Sequence, residues 1–172
     1  MNRIIRFIDL INSKIGVIAG WITSILVLLF TYDVLTRYFF NYTKVWVTEM
    51  EWHLYALIFL FGAAYTLKED RHVRVDIWYN NQPEKKKALI DLLGGLLFLL
   101  PWTWVVIYTS FDYASNSFMQ NEGSPNPGGL PYRFLIKGAI TVGFILLLLQ
   151  GIAQILKSVL ILSNKSHQPI NE

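Results

Sequence analysis

Residues Trp46–Asp76 read WVTEMEWHLYALIFLFGAAYTLKEDRHVRVD. Glu49 and Glu51 enter an apolar run of helical length. Gly62-Ala63-Ala64 lies near its far end, and a charged segment from Lys68 to Asp76, carrying His72, closes it. Charges inside or at the edge of a membrane are costly and are retained for a reason. The rest of the chain sets that run in context. It has 172 residues, is 53% hydrophobic and only 16% charged, and has a mean hydropathy of +0.39. Three further stretches, Ile15–Tyr32, Leu92–Phe111 and Gly138–Leu156, join Trp52–Leu67 in approaching the roughly 20 apolar residues that a bilayer crossing needs. Tyrosines aside, His53 is the ionisable residue inside these four cores. The expectation is an all-α integral membrane protein, a single four-helix domain over 1–172. Its transmembrane helices are placed at 15–40, 46–67, 84–111 and 132–162, after a segment 1–14 and before a polar tail, 163–172, expected to be mobile.

Composition removes several classes of function. The absence of cysteine rules out disulfides, thiolate metal sites, iron–sulfur clusters and cysteine nucleophiles. The net charge of +3 comes from basic residues that form no free-standing domain, so nucleic acid is not an expected partner. Membrane lipid is, because such an excess suits loops facing anionic headgroups. Arg3, Arg6, Lys14, Lys68, Arg71, Arg74, Lys85, Lys86, Lys87, Lys157 and Lys165 fall on one side of a four-span layout, eleven of the 15 Lys and Arg residues. Arg37, Lys44, Arg133 and Lys137 fall on the other. By the positive-inside rule both termini are cytoplasmic and the loop GSPNPGGLP (123–131) faces outward. The first apolar run is longer than the h-region of a cleaved signal peptide, so the chain is expected to persist from Met1.

Local patterns refine the helices. In residues 3–15, Ile4, Phe7, Ile8, Ile11 and Ile15 recur at helical spacing. This segment is a candidate interfacial amphipathic helix, or else an inward extension of the first crossing. Asp33 and Arg37 stand i,i+4 with the acid first, the better orientation for a helix pair. Asn41-Tyr42-Thr43-Lys44 makes a short turn. Thr48 fits an N-cap with Glu51 closing a capping box, which places Glu49 and Glu51 in the first turn, where the helix dipole favours anions. The mixed segment Val73–Tyr79 suits an interface. Pro83 opens the third helix, Gly94-Gly95 admits a close neighbour, and Pro101 predicts a kink. Trp102 and Trp104, near mid-membrane, are expected to pack against protein. Proline and glycine in 123–131 indicate a shaped loop, and Gln150 and Gln154, i,i+4, are placed to hydrogen-bond a neighbouring helix.

Chemistry finds little support. A membrane haem site needs two inward histidines on facing helices, and only His53 lies in a span, His72 and His167 lying outside. Glu49 and His53 are i,i+4, but a third metal ligand is hard to name. No nucleophile motif or glycine-rich phosphate cradle exists. Glu49, Glu51 and His53 admit a proton-relay reading; helix capping, a pair with Arg37 and a packed His53 account for them more simply.

Several of these residues together carry a resemblance. Arg37-Tyr38-Phe39-Phe40, then Trp46, Glu49, Gly62 and His72-Val73-Arg74-Val75-Asp76 follow in an order and spacing similar to the small membrane subunit of tripartite ATP-independent periplasmic (TRAP) transporters, the DctQ-like family. The likeness covers nearly the whole chain. The family often has adjacent acids where Met50 here separates Glu49 from Glu51, so Glu49 is the residue carried over. The segments EMEWHLYALIFLFGAAYTLKEDRHVRVD and EGSPNPGGLP resemble the branch associated with mannitol or chloroaromatic compounds and 2-oxo acids. The resemblance implies a non-enzymatic scaffold subunit, with no cofactor of its own, in the bacterial inner membrane. Its implied partners are a large multi-span subunit that holds substrate and sodium, and a periplasmic substrate-binding protein. It implies sodium-coupled import of organic acids such as 2-oxo acids, dicarboxylates or sialic acid by an elevator step. Structural roles are implied for Arg37 and Glu49 as an ion pair between the first two helices, and for Trp46. Gly62 would serve close helix packing, and His72 and Asp76 would order the cytoplasmic connection. The other reading is an independent four-helix membrane channel or enzyme using Glu49, Glu51 and His53.

Overall fold

A computed structural model describes residues 1–69, 79 and 81–163, and these are helical apart from short connections. The order is α1 (Asn2–Phe40), α2 (Val45–Lys68), α3 (Glu84–Met119) and α4 (Phe134–Leu162). Three of these, α1, α3 and α4, are long and apolar enough to cross a membrane. Helix α2 has the length, but Glu49, Glu51, His53 and two tryptophans dilute its first half. The positions His72 and Asp76, the segment 70–78 and the tail from 164 lie outside the described residues.

Helix α1 runs without interruption through segment 1–14, so the separate interfacial helix does not form. One side of the segment packs against protein, with Ile5, Ile8 and Asn12 buried, while Ile4 and Phe7 of the expected apolar face stay exposed. At about 1.5 Å per residue, 39 residues exceed the roughly 30 Å hydrocarbon core and carry α1 beyond it. Asn41 ends the helix in the left-handed conformation (φ 48°), its N–H bonded to the Thr36 carbonyl, which asparagine tolerates better than most residues. Lys44, extended, then starts α2. This start lies earlier than the expected Thr48 cap, and no capping box forms, because Val47 is drawn into the core (1% exposed) and pulls the first turn in with it.

Helix α3 accommodates Pro101 by a π-turn over Gly95–Leu99, in which the Leu100 N–H reaches back to the Gly95 carbonyl. A proline removes one backbone donor and clashes with the preceding turn, and widening that turn relieves the clash. The Thr103 hydroxyl, fully buried, donates to the Leu99 and Leu100 carbonyls. Helix α3 also runs past the expected end at 111 to Met119, because Ser110 and Ser117 on its last turns face the protein and are buried.

Helix α4 is the hub. It packs on α1, α2 and α3, while α1 and α2 pair with each other and α3 leans chiefly on α4. Of its apolar stretch 39% is buried, against 6% for α1 and for α3. Close approach comes from glycines, Gly95 among those expected but not Gly62. A Cβ at Gly143 of α4 would stand 2.9 Å from the Leu60 Cβ and 3.1 Å from its carbonyl oxygen, and one at Gly16 of α1 would meet the Tyr65 ring. Gly62, expected to serve helix packing, faces open space within this chain, as does Gly94, whereas Gly95 touches Ile155. Helical phase decides this: the face of α2 that meets α4 carries Leu60 and that which meets α1 carries Tyr65, and Gly62 lies on neither.

The polar residues lie between helices and the large apolar ones point away. Asn12 Nδ2 donates to Gln150 Oε1 (2.7 Å), Gln150 Nε2 donates to Asp9 Oδ1 (3.0 Å), and Lys157 pairs with Asp9 (3.0 Å). Gln154 reaches Asp91 of α3 (3.4 Å). Both glutamines thus bond neighbouring helices, as their spacing suggests. Ser110 and Thr141 join α3 to α4 farther along (2.9 Å). Outside, Trp21, Leu28, Phe59, Phe98, Trp102 and Trp104 are largely exposed, so the mid-helix tryptophans do not pack within this chain.

Two variants test this frame. Gln150→Leu leaves Asn12 without its acceptor and is expected to cost about 1–2 kcal/mol, read as a lower unfolding midpoint in detergent. Gly143→Ala is expected to destabilise by about 1–3 kcal/mol through overpacking, whereas Gly62→Ala leaves the midpoint of the isolated chain unchanged.

Candidate functional site

Glu49 and Glu51 lie at the end of the molecule where α1 turns into α2, in two different environments. Glu49 is nearly buried (7% exposed) and is gripped by the 123–131 loop. The Leu130 N–H donates to Oε2 (2.6 Å), Asn126 Nδ2 donates to Oε1 (3.2 Å), and the Ser124 hydroxyl donates to Oε1 as well. The loop is shaped for this. Ser124 N–H bonds the Leu130 carbonyl (3.0 Å), Gly129 N–H bonds the Asn126 carbonyl (3.0 Å), and Gly128 adopts φ 78°. A Cβ at Gly129 would stand 2.7 Å from Glu49 Oε2, so only glycine lets the backbone come this close. Three donors converging on one carboxylate make a charge-assisted clamp.

The expected ion pair between Arg37 and Glu49 does not form. Arg37 pairs with Asp33 one turn earlier on its own helix, as the i,i+4 spacing suggests. Glu49 is turned toward the loop instead, and Arg133 is the cation that acts on it. Glu51, two residues on, points to another side of α2 and faces Asp33 and Arg37. Trp46, 38% exposed, sits at the start of α2. His53 is engaged inside its own helix: Nδ1–H donates to the Glu49 carbonyl, and the ring lies on Trp52 with centroids 4.0 Å apart. Among the described residues no three His, Cys, Asp or Glu side chains are placed to hold a metal ion.

A second anchor, not anticipated from the sequence, lies on the far side of the same loop. Glu122 pairs with Lys137 on the first turn of α4 and, at 3.8 Å, with Arg133. The Lys137 ammonium sits 3.9 Å from the Tyr113 ring centroid, a cation–π contact. The hydrogen bond from Lys137 holds the Glu122 carboxyl below the usual glutamate range, with help from Ser117 and the nearby basic charges. Residues 122–137 are therefore tied to α2, α3 and α4 at once.

The chain matches the family described as tripartite ATP-independent periplasmic transporters, DctQ component, over residues 26–160. This chain is a member of the DctQ family. It is also 24% identical over 139 residues to a TRAP transporter small permease protein of Haemophilus influenzae, a match covering 80% of this chain and 85% of that protein. The matched DctQ region runs from mid-α1 to the end of α4 and includes both anchors of the loop.

Removing the clamp should free the loop without unfolding the helices. In Glu49→Ala we expect faster hydrogen exchange at the Leu130 amide and a thermal midpoint lower by several degrees, with helical circular dichroism retained. Arg37→Ala is expected to leave exchange in the loop unchanged.

Proposed function

We propose that this chain is the small scaffold subunit of a binding-protein-dependent, sodium-coupled TRAP transporter that imports organic acids such as 2-oxo acids, dicarboxylates or sialic acid. All four helices cross the inner membrane in this reading, with both termini cytoplasmic and the 123–131 loop outward. Helix α2 has 24 residues, about 36 Å at 1.5 Å per residue, which is enough for the hydrocarbon core. Its association with α1 and α4 supports a parallel course through the bilayer.

The observation that carries the scaffold role is the disposition of polar and apolar groups. Several buried polar side chains hold helices and a loop together, and the middle stretches of α1 and α3 expose large apolar side chains. Such a surface suits lipid and another membrane protein. Substrate and sodium then belong to the large subunit, whose moving part slides against a stationary scaffold that this chain widens. The small permease name of the Haemophilus influenzae relative agrees with that division of labour. His72 and Asp76 are assigned to ordering the cytoplasmic connection, and Gly62, open on its own side, to contact with the partner.

Uptake in proteoliposomes tests the function. With the large subunit, the binding protein and an inward sodium gradient, organic-acid uptake should require this chain and collapse without the gradient. Substrate or ion flux through liposomes holding this chain alone would contradict the reading.

A further inference from the structure

Between α1 and α2 an open groove of about 470 Å³ is lined by Leu26, Phe30, Thr31, Glu51, Trp52 and Tyr55. Its walls are almost wholly apolar, and Glu51 is the charge set in them. Behind it stands Asp33, 2% exposed. Arg37 pairs with Asp33, and this leaves Asp33 Oδ1 and Glu51 Oε1 buried without hydrogen-bond partners. One guanidinium, bonded to Asp33, thus stands beside two carboxyl groups, and with both ionised the groove carries one negative charge in excess. The neighbouring acid, Glu49, is held away in the 123–131 loop.

An unpartnered carboxylate in apolar surroundings is expensive, and a cation arriving with its own apolar body offsets that cost. We infer that this groove receives a helix of the large membrane subunit that seats apolar side chains against Phe30, Trp52 and Tyr55 and brings an arginine or lysine to Glu51. The inference rests on the scaffold reading and adds to it a site and a chemistry of docking. The volume admits two or three side chains, the exposure of Phe30 (57%) and Tyr55 (67%) leaves them free to be covered, and the charge excess selects a cationic residue over a neutral one.

Photo-crosslinking in native membranes tests it. With p-benzoylphenylalanine at Phe30 or at Tyr55, we expect crosslinks to a transmembrane segment of the large subunit within about two helical turns of a lysine or arginine. Glu51→Gln keeps the shape and removes the charge, and it should lower crosslink yield by roughly tenfold or more. Reversing the mapped cation to glutamate together with Glu51→Arg should restore the yield. Unchanged crosslinking in Glu51→Gln would overturn the proposal and point to a neutral carboxyl sharing its proton with Asp33. Crosslinks only to lipid or to a second copy of this chain would overturn it too. Co-purification of the large subunit with the tagged chain separates the two claims: if it persists while the groove crosslinks elsewhere, the docking site fails and the scaffold reading stands.

Discussion

A polar side chain carried into a bilayer has to find its partner inside the protein, and in this chain α4 supplies most of those partners. Gln150, Lys157, Gln154, Thr141 and Lys137 are spaced along it, and each is bonded to another helix or to the loop. Remove that ladder and there is no closed core to fall back on, because α3 leans chiefly on α4 and much of α1 is exposed. Lipid-facing helices gain little from burying leucine against leucine, since the surrounding tails are as apolar as the side chains. Hydrogen bonds and glycine-mediated close contacts therefore decide which helices neighbour which.

The loop after α3 is the second consequence of the same constraint. A proline- and glycine-rich segment has few backbone bonds of its own, and it acquires a fixed shape by wrapping a carboxylate. Glu49 accepts from Leu130, Asn126 and Ser124, and Glu122 ties the loop's beginning to the start of α4. The Glu49 contacts join residues more than seventy positions apart, so the first hairpin and the second are locked at one end of the molecule. The opposite ends of α1 and α4 are locked by Asp9, Asn12, Gln150 and Lys157.

Much of this was legible in the sequence, and what was missed has a common cause. Apolar runs, the Asn41 turn, the Asp33–Arg37 pair, the Gln150–Gln154 face and the disturbance at Pro101 are local patterns, and each has a local physical reading. The helix start at Val45, the extension of α3 to Met119 and the continuity of α1 depend on what the residues pack against. The partner of Glu49 was out of reach because it lies far along the chain, and Arg37, on the preceding helix, is taken by Asp33. Gly62 and Gly143 look equivalent in a string of letters, and only the rotational phase of α2 against α4 tells which one is pressed against backbone. The family, by contrast, was readable, because its pattern is an order of spaced residues and needs no contact to be recognised.

The scaffold account stands on this chain being incomplete by itself. The direct measurement is the intact mass of the complex released from native membranes by a mild detergent through a tag on this chain. The account predicts a one-to-one assembly with a large polytopic membrane protein. A stable homo-oligomer with no such partner would contradict it and return Glu51 and His53 to consideration as parts of an independent conduction site.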